Sequence, residues 1–168
     1  MALSIVAGAC SPSGGEPAAV PVDPVSTMAF ELWDGSETSL VDLVAGDGRP
    51  MVVNLWATWC APCREEMPTL DRLQAQLGGD DFHVLPLSID RAGLGPVRRF
   101  YDEIGIRHLD QYLAEDIRAM LAFAVIGLPT TLLVDRQGRE RGRLTGPAEW
   151  DSAEAVAQFQ TIIAERNR

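Results

Sequence analysis

The order of apolar and polar positions divides the chain into strands, helices and an N-terminal stretch with no period. From Met51 to Trp56 every residue but Asn54 is apolar, as in a strand covered on both faces. Met67, Leu70, Leu73 and Leu77 then recur at helical spacing, with Pro62 in what would be the first turn and Gly78-Gly79 beyond the last. Phe82–Ile89 is the next apolar run, so strand, helix and strand make a βαβ unit with parallel strands. Pro86 lies inside that second run and has no N–H for a ladder, which requires a bulge or an unpaired position there. His83 is expected to alternate outward from the same strand.

Further on, Val97, Phe100, Tyr101 and Ile104 predict an amphipathic helix, and Ile117, Met120, Leu121 and Ala124 predict another. Between them His108–Leu113 is expected to hold a short strand. Thr130–Val134 and Arg141–Thr145 read as antiparallel strands, joined across a turn where Gly138 can take a positive φ. Asp151 and Glu154 have the spacing of a capping box, and Val156, Phe159 and Ile163 give a last helix its buried face. Upstream of the βαβ unit, Thr27–Trp33 alternates ahead of Asp34-Gly35, which predicts a strand and a hairpin.

The first residues have a different character. Met1–Ala9 is apolar but far shorter than the roughly eighteen residues of a spanning helix, and it ends in small residues just before Cys10. Residues 1–10 are therefore expected to be the remnant of an export signal, with Cys10 a candidate for lipidation. Residues 11–24, rich in proline, glycine and serine, offer little apolar surface and read as a flexible linker, leaving 25–168 for the folded domain.

Length and composition narrow the function by exclusion. At 168 residues the chain suits one domain with a core of its own. A formal charge of −10 argues against nucleic acid or an anionic lipid surface as the main partner, which leaves the N-terminal anchor as the expected link to a membrane.

The chemistry is expected at Cys60 and Cys63, three apart where the first buried strand gives way to its helix. A helix N-terminus presents unpaired N–H groups and the positive end of the dipole, which favour a thiolate on Cys60. Cys60 is expected to attack and Cys63, one turn inside, to resolve. The same spacing occurs in zinc sites and in structural disulfides. Zinc needs four ligands, and beyond this pair the chain offers only Cys10, His83 and His108, with no second close pair.

The stretch Asn54-Leu-Trp-Ala-Thr-Trp-Cys-Ala-Pro-Cys-Arg-Glu-Glu-Met-Pro68 resembles the thioredoxin superfamily, and within it the TlpA/ResA branch of exported thiol-disulfide oxidoreductases. Trp59-Cys-Ala-Pro-Cys63, Pro68 and Gly127-Leu-Pro-Thr130 carry the likeness, which extends over about residues 25–163. It implies an α/β, thioredoxin-like three-layer fold: a mixed sheet flanked by helices, with an N-terminal β-hairpin and a central insertion. Pro129 is implied to be the cis-proline beside the disulfide, and Trp59, Pro62 and Leu128 to meet the substrate. Glu66 matches a glutamate that this branch uses near its cysteines, here expected to assist proton transfer with Cys63 because Asn54 replaces the buried aspartate of plain thioredoxins.

The resemblance further implies reduction of specific protein disulfides outside the cytoplasm. Partners of this kind are apocytochrome c or copper-site assembly proteins, with electrons from a membrane thiol carrier. The expected protein is a monomer with no metal and no cofactor beyond the Cys60–Cys63 pair. Two other functions use similar residues. A Sco-like copper-binding assembly factor spaces its cysteines one residue further apart and adds a histidine, and a thiol peroxidase does not need a second cysteine three residues on.

Overall fold

The structure is a computed structural model that describes residues 29–32, 34–39, 42–43, 48–114 and 116–164. The expected export remnant, Cys10 and the linker lie outside the described residues, as do Thr27, Met28 and Trp33 of the predicted first strand.

The buried βαβ unit forms as its apolar pattern requires. Strand β3 (Met51–Trp56) and strand β4 (His83–Ser88) are buried at every position, and helix α1 (Ala61–Leu77) joins them. They pair in parallel from Met51 opposite His83 to Trp56 opposite Ser88. On the other side of β3, strand β6 (Thr130–Val134) runs antiparallel and pairs in turn with the edge strand β7 (Glu140–Thr145). On the β4 side lie β5 (Tyr112–Leu113) and then the hairpin of β1 (Ala29–Leu32) and β2 (Glu37–Ser39). The sheet order is β2-β1-β5-β4-β3-β6-β7. Helix α2 (Leu94–Ile104) precedes β5, α3 (Asp116–Ala122) follows it, and α4 (Ala153–Ala164) closes the described chain.

Side-chain alternation along β3 assigns helices to faces. Asn54 bonds Glu66 of α1, and Trp56 packs on Phe100 and Tyr101 of α2 at centroid separations of 5.5 and 6.0 Å. Val52, of the same parity, lines one small cavity with Phe159 of α4. Arg143 belongs to the opposite parity by its register with Leu132, and it donates to the carbonyls of Phe123 and Ala124 just past α3. Helices α1, α2 and α4 thus cover one face and α3 the other, which makes the three layers expected.

Pro86 interrupts nothing: it sits opposite Asn54 in a ladder to β3 without a bulge. The N–H groups of His83 and Ile89 point toward β3, at Pro50 and Trp56, so by period two the nitrogen of Pro86 faces the β5 side. There β5 pairs only with Leu87 and Ser88, so the missing donor falls where no strand needs it. Val84, with the same orientation, instead donates to Gln74 Oε1 from α1.

Three expectations are corrected. His83 does not face outward: with both faces of β4 covered, it is buried and its Nε2 lies 3.0 Å from the Tyr112 hydroxyl. The second predicted helix is only seven residues long, and it buries Ala119, with Phe123 just beyond it, while Leu121 is 76% exposed. Asp151 does not cap α4; Ser152 Oγ accepts the Ala155 N–H at 3.3 Å, and Asp151 pairs with Arg72 of α1.

Ala124 ends the α3 turn at φ 47°, a left-handed conformation that costs a residue with a Cβ about 1 kcal/mol or more. Ala124→Gly is expected to raise stability by roughly 0.5 kcal/mol, the relief being partly offset by the freer unfolded glycine. Calorimetry would read this as a rise of a degree or two in Tm. A fall in Tm would show that the turn does not hold this conformation.

Candidate active site

The carboxyl ends of β3 and β4 and the start of β6 meet at one edge of the sheet, and the chemistry-bearing residues gather there. Past Trp56 the chain turns through Ala57–Trp59, with the Cys60 N–H donating to Ala57 O at 3.1 Å, and Cys60 becomes the N-cap of α1. Pro62 fits the first turn because it needs no N–H there. Cys60 and Cys63 form a disulfide with S–S 2.05 Å and Cα–Cα 5.3 Å. Cys60 keeps 7% of its surface exposed and Cys63 none. Trp59, directly before the pair, is 68% exposed, whereas Trp56 lies in the core.

Asp90 secures this turn from the neighbouring strand. Its carboxylate, buried just after β4, accepts the Thr58 N–H at 2.9 Å, the Thr58 hydroxyl at 2.6 Å and the Ser88 hydroxyl at 2.7 Å. Sequence reasoning passed over Asp90. An acid at the carboxyl end of a buried parallel strand, where α/β sheets place their sites, was the available signal.

Pro129 follows a cis peptide bond from Leu128, is buried, and accepts the Gly146 N–H at 2.9 Å. Because Thr130 pairs with Leu55, Pro129 stands level with Trp56, at the sheet edge from which the cysteine turn departs. Leu128 is half-buried, and Ile126, two residues earlier, is 92% exposed. The loop therefore presents apolar surface on the same edge as Trp59.

Glu66 lies one turn beyond Cys63 on the same helix face and is only 2% exposed. Its Oε1 accepts from Asn54 Nδ2 at 2.8 Å, and its Oε2 accepts from Trp150 Nε1 at 2.9 Å and from the Ala148 N–H at 3.1 Å. Asn54, fully buried, also donates to Thr131 Oγ1 at 2.9 Å. Burial raises the Glu66 carboxyl above the ordinary carboxylate range, and the three donors only partly oppose it. Glu65, one position earlier, is exposed. Nothing in a single sequence ties Trp150 to Glu66, 84 residues away, so this partner was not foreseen.

The histidines are not part of this arrangement. His83 pairs with Met51, at the other end of β3 from the cysteine turn, about 17 Å along the strand at roughly 3.3 Å per residue. His108 is exposed on the loop before β5. Among the described residues no three histidine, cysteine or acidic side chains gather in a metal-binding group, and no helix is long and apolar enough to cross a membrane.

The chain belongs to the Redoxin family, whose description residues 24–161 match. It is 29% identical over 113 residues to the thiol-disulfide oxidoreductase ResA of Geobacillus thermodenitrificans, covering 67% of this chain and 62% of that protein. To the thiol:disulfide interchange protein HelX of Rhodobacter capsulatus it is 32% identical over 120 residues, covering 70% of this chain and 64% of that one. The match thus spans less than two thirds of the length of these relatives. In structure it is similar to the thioredoxin domain of a thiol-disulfide oxidoreductase from Bacteroides vulgatus, with a TM-score of 0.68 over 86% of this chain and 99% of that one, at 18% identity. The fold is therefore thioredoxin-like, with a mixed sheet, flanking helices, an N-terminal hairpin and the α2–β5 insertion.

Proposed function

We propose that this protein is a thiol-disulfide oxidoreductase that reduces specific protein disulfides outside the cytoplasm. The observation that carries the reading is the Cys60–Cys63 disulfide at the start of α1, with Cys60 keeping 7% of its surface exposed next to Trp59 and Cys63 fully buried a turn before a buried acid. Cys60 attacks the partner disulfide as a thiolate, and a mixed disulfide forms while the partner's other sulfur leaves. Cys63 then gives its proton to Glu66 and attacks Cys60 Sγ, so the Cys60–Cys63 bond forms and the partner departs with both electrons. Leu128 offers its backbone to an extended partner segment, with Trp59, Pro62 and Pro129 around it.

Apocytochrome c or copper-site assembly proteins are the proposed substrates and a membrane thiol carrier the proposed donor, with a monomer that holds no cofactor beyond its disulfide. Residues 1–10 and 11–24 are proposed as export remnant and linker, with Cys10 lipidated. Equilibration of the pair with defined thiol buffers tests the direction: a potential near about −250 mV or below is expected, and one near about −120 mV would make the protein an oxidant.

Glu66 gives a second test. Glu66→Gln is expected to slow resolution of the mixed disulfide roughly tenfold at neutral pH, and Glu65→Gln to leave it unchanged. Stopped-flow profiles from about pH 5 to 9 that coincide for the two variants would remove Glu66 from the proton step. Stability follows the same group. Its folded value is raised, so its contribution is fully present below the unfolded value near 4.3 and is lost as pH rises through the folded value. Wild type should lose stability relative to Glu66→Gln across that window and hold level above it, as read from urea midpoints at each pH. A constant difference would contradict the raised value.

A further inference from the structure

Among the described residues, the hydrogen bonds around Glu66 leave its carboxylate a single opening. A carboxylate offers about four acceptor positions, two on each oxygen. Trp150 Nε1 and the Ala148 N–H occupy both on Oε2, and Asn54 Nδ2 occupies one on Oε1. The remaining position on Oε1 has no donor among the described residues. Asn54 is itself held with its nitrogen toward Glu66 by a second bond from Nδ2 to Thr131 Oγ1, at 2.9 Å.

From this geometry we propose that Trp150 is a positioning residue for the proton step: with the Ala148 amide it closes Oε2, so that the proton leaving Cys63 is received on the open side of Oε1. The proposal rests on the reading of Glu66 as the acceptor of that proton. The indole is placed for the purpose by packing, since Trp150 is 2% exposed and lies 6.2 Å from the Phe159 ring of α4. Its N–H does more than fill space. Donated to the ionised carboxylate, it opposes the upward push of burial and keeps the group able to give its proton up again. Among the described residues, the groups that hydrogen-bond Glu66 are uncharged: Asn54 from β3, and Ala148 and Trp150 from the loop before α4. Along α1 the nearest buried acid is Asp71, whose carboxylate is turned to the amides of Arg107–Leu109.

In the resolving step one proton moves from the Cys63 thiol to Glu66 Oε1, the Cys60–Cys63 bond forms, and the bond from Cys60 to the partner breaks with its electron pair on the partner sulfur. The proton returns to Cys63 when the pair is next reduced by a dithiol donor. If Trp150 were only a core residue, its loss would lower stability and leave the titration of Glu66 in place.

The test is the titration of the Glu66 side-chain carboxyl carbon by NMR, in wild type and in Trp150→Phe, with the pH–rate profile of resolution measured beside it. The expected result is a Glu66 midpoint about one pH unit higher in Trp150→Phe, with the rate limb moving the same way. Should the variant fold poorly, the wild-type protein still decides: the Trp150 indole N–H signal is expected to shift with the midpoint of the Glu66 carboxyl. An unmoved midpoint in Trp150→Phe, or an indole signal that stays flat through the Glu66 titration, would overturn the proposal. Loss of the rate limb in Glu66→Gln with no movement in Trp150→Phe would overturn it alone, whereas a limb retained in Glu66→Gln would overturn the underlying reading of Glu66.

Discussion

Cys60→Ser is expected to abolish reduction of a protein disulfide, with a fall of about a thousandfold or more, to the limit set by uncatalysed exchange. A serine hydroxyl at the α1 N-cap preserves the cap and the helix but is not ionised near neutral pH, so the N-terminal N–H groups have no nucleophilic anion to stabilise. Cys63→Ser should behave differently. Its first attack is intact, and turnover stops at the mixed disulfide because the buried position beneath Cys60 holds no second sulfur. Rapid mixing would therefore show a single burst of one equivalent for Cys63→Ser and none for Cys60→Ser. A burst from both variants, or turnover by Cys60→Ser, would place the nucleophile elsewhere.

Asp71→Ala is expected to cost about 2 to 3 kcal/mol of stability, the largest loss foreseen for any single polar side chain away from the cysteines. Its Oδ1 accepts the backbone N–H groups of Arg107, His108 and Leu109 at 3.1, 2.7 and 3.2 Å. These amides lead the chain off α2 and toward β5, a strand of two residues that has little pairing of its own to hold it. Leu109 is buried, so its freed N–H would not find water readily, while the amides of the exposed Arg107 and His108 would, which keeps the estimate below the full cost of three lost bonds. Asp71→Asn keeps an oxygen acceptor and should cost about 1 kcal/mol. Urea denaturation would measure both. A loss under about 0.5 kcal/mol for Asp71→Ala would show that the insertion is held by its packing alone.

The parts of the fold that were legible in the sequence are those where one local rule dominates. Residues 51–56 and 82–89 are apolar almost throughout because both faces of their strands are covered, and that alone marked the centre of the sheet. The same covering misled the reading of His83, since alternation carries meaning only when one face meets water. Helix α3 departs from its predicted face because two turns are too few for a period to be distinguished, and Leu121 lies exposed where the spacing would bury it. Asp151 has the residue type and spacing of a cap, yet an arginine from α1 claims it and the next residue, Ser152, serves instead.

At the site, the two sulfurs and Glu66 were legible because they share one helix, where three-residue spacing fixes a common face. Asp90 and Trp150 were not, because each reaches its partner across 32 or 84 residues of chain. Such pairs exist only once the sheet has brought the carboxyl end of β4 beside the cysteine turn and the loop before α4 over α1.

The proposed exchange depends first on which sulfur meets the partner. Intact mass spectrometry, after mixing reduced Cys63→Ser or Cys60→Ser protein with a disulfide-bearing protein substrate, reads this without kinetics. The predicted result is one covalent adduct on Cys63→Ser, mapped by peptide digestion to Cys60, and little or none on Cys60→Ser. Equal adducts on both variants, or an adduct on Cys60→Ser alone, would contradict it.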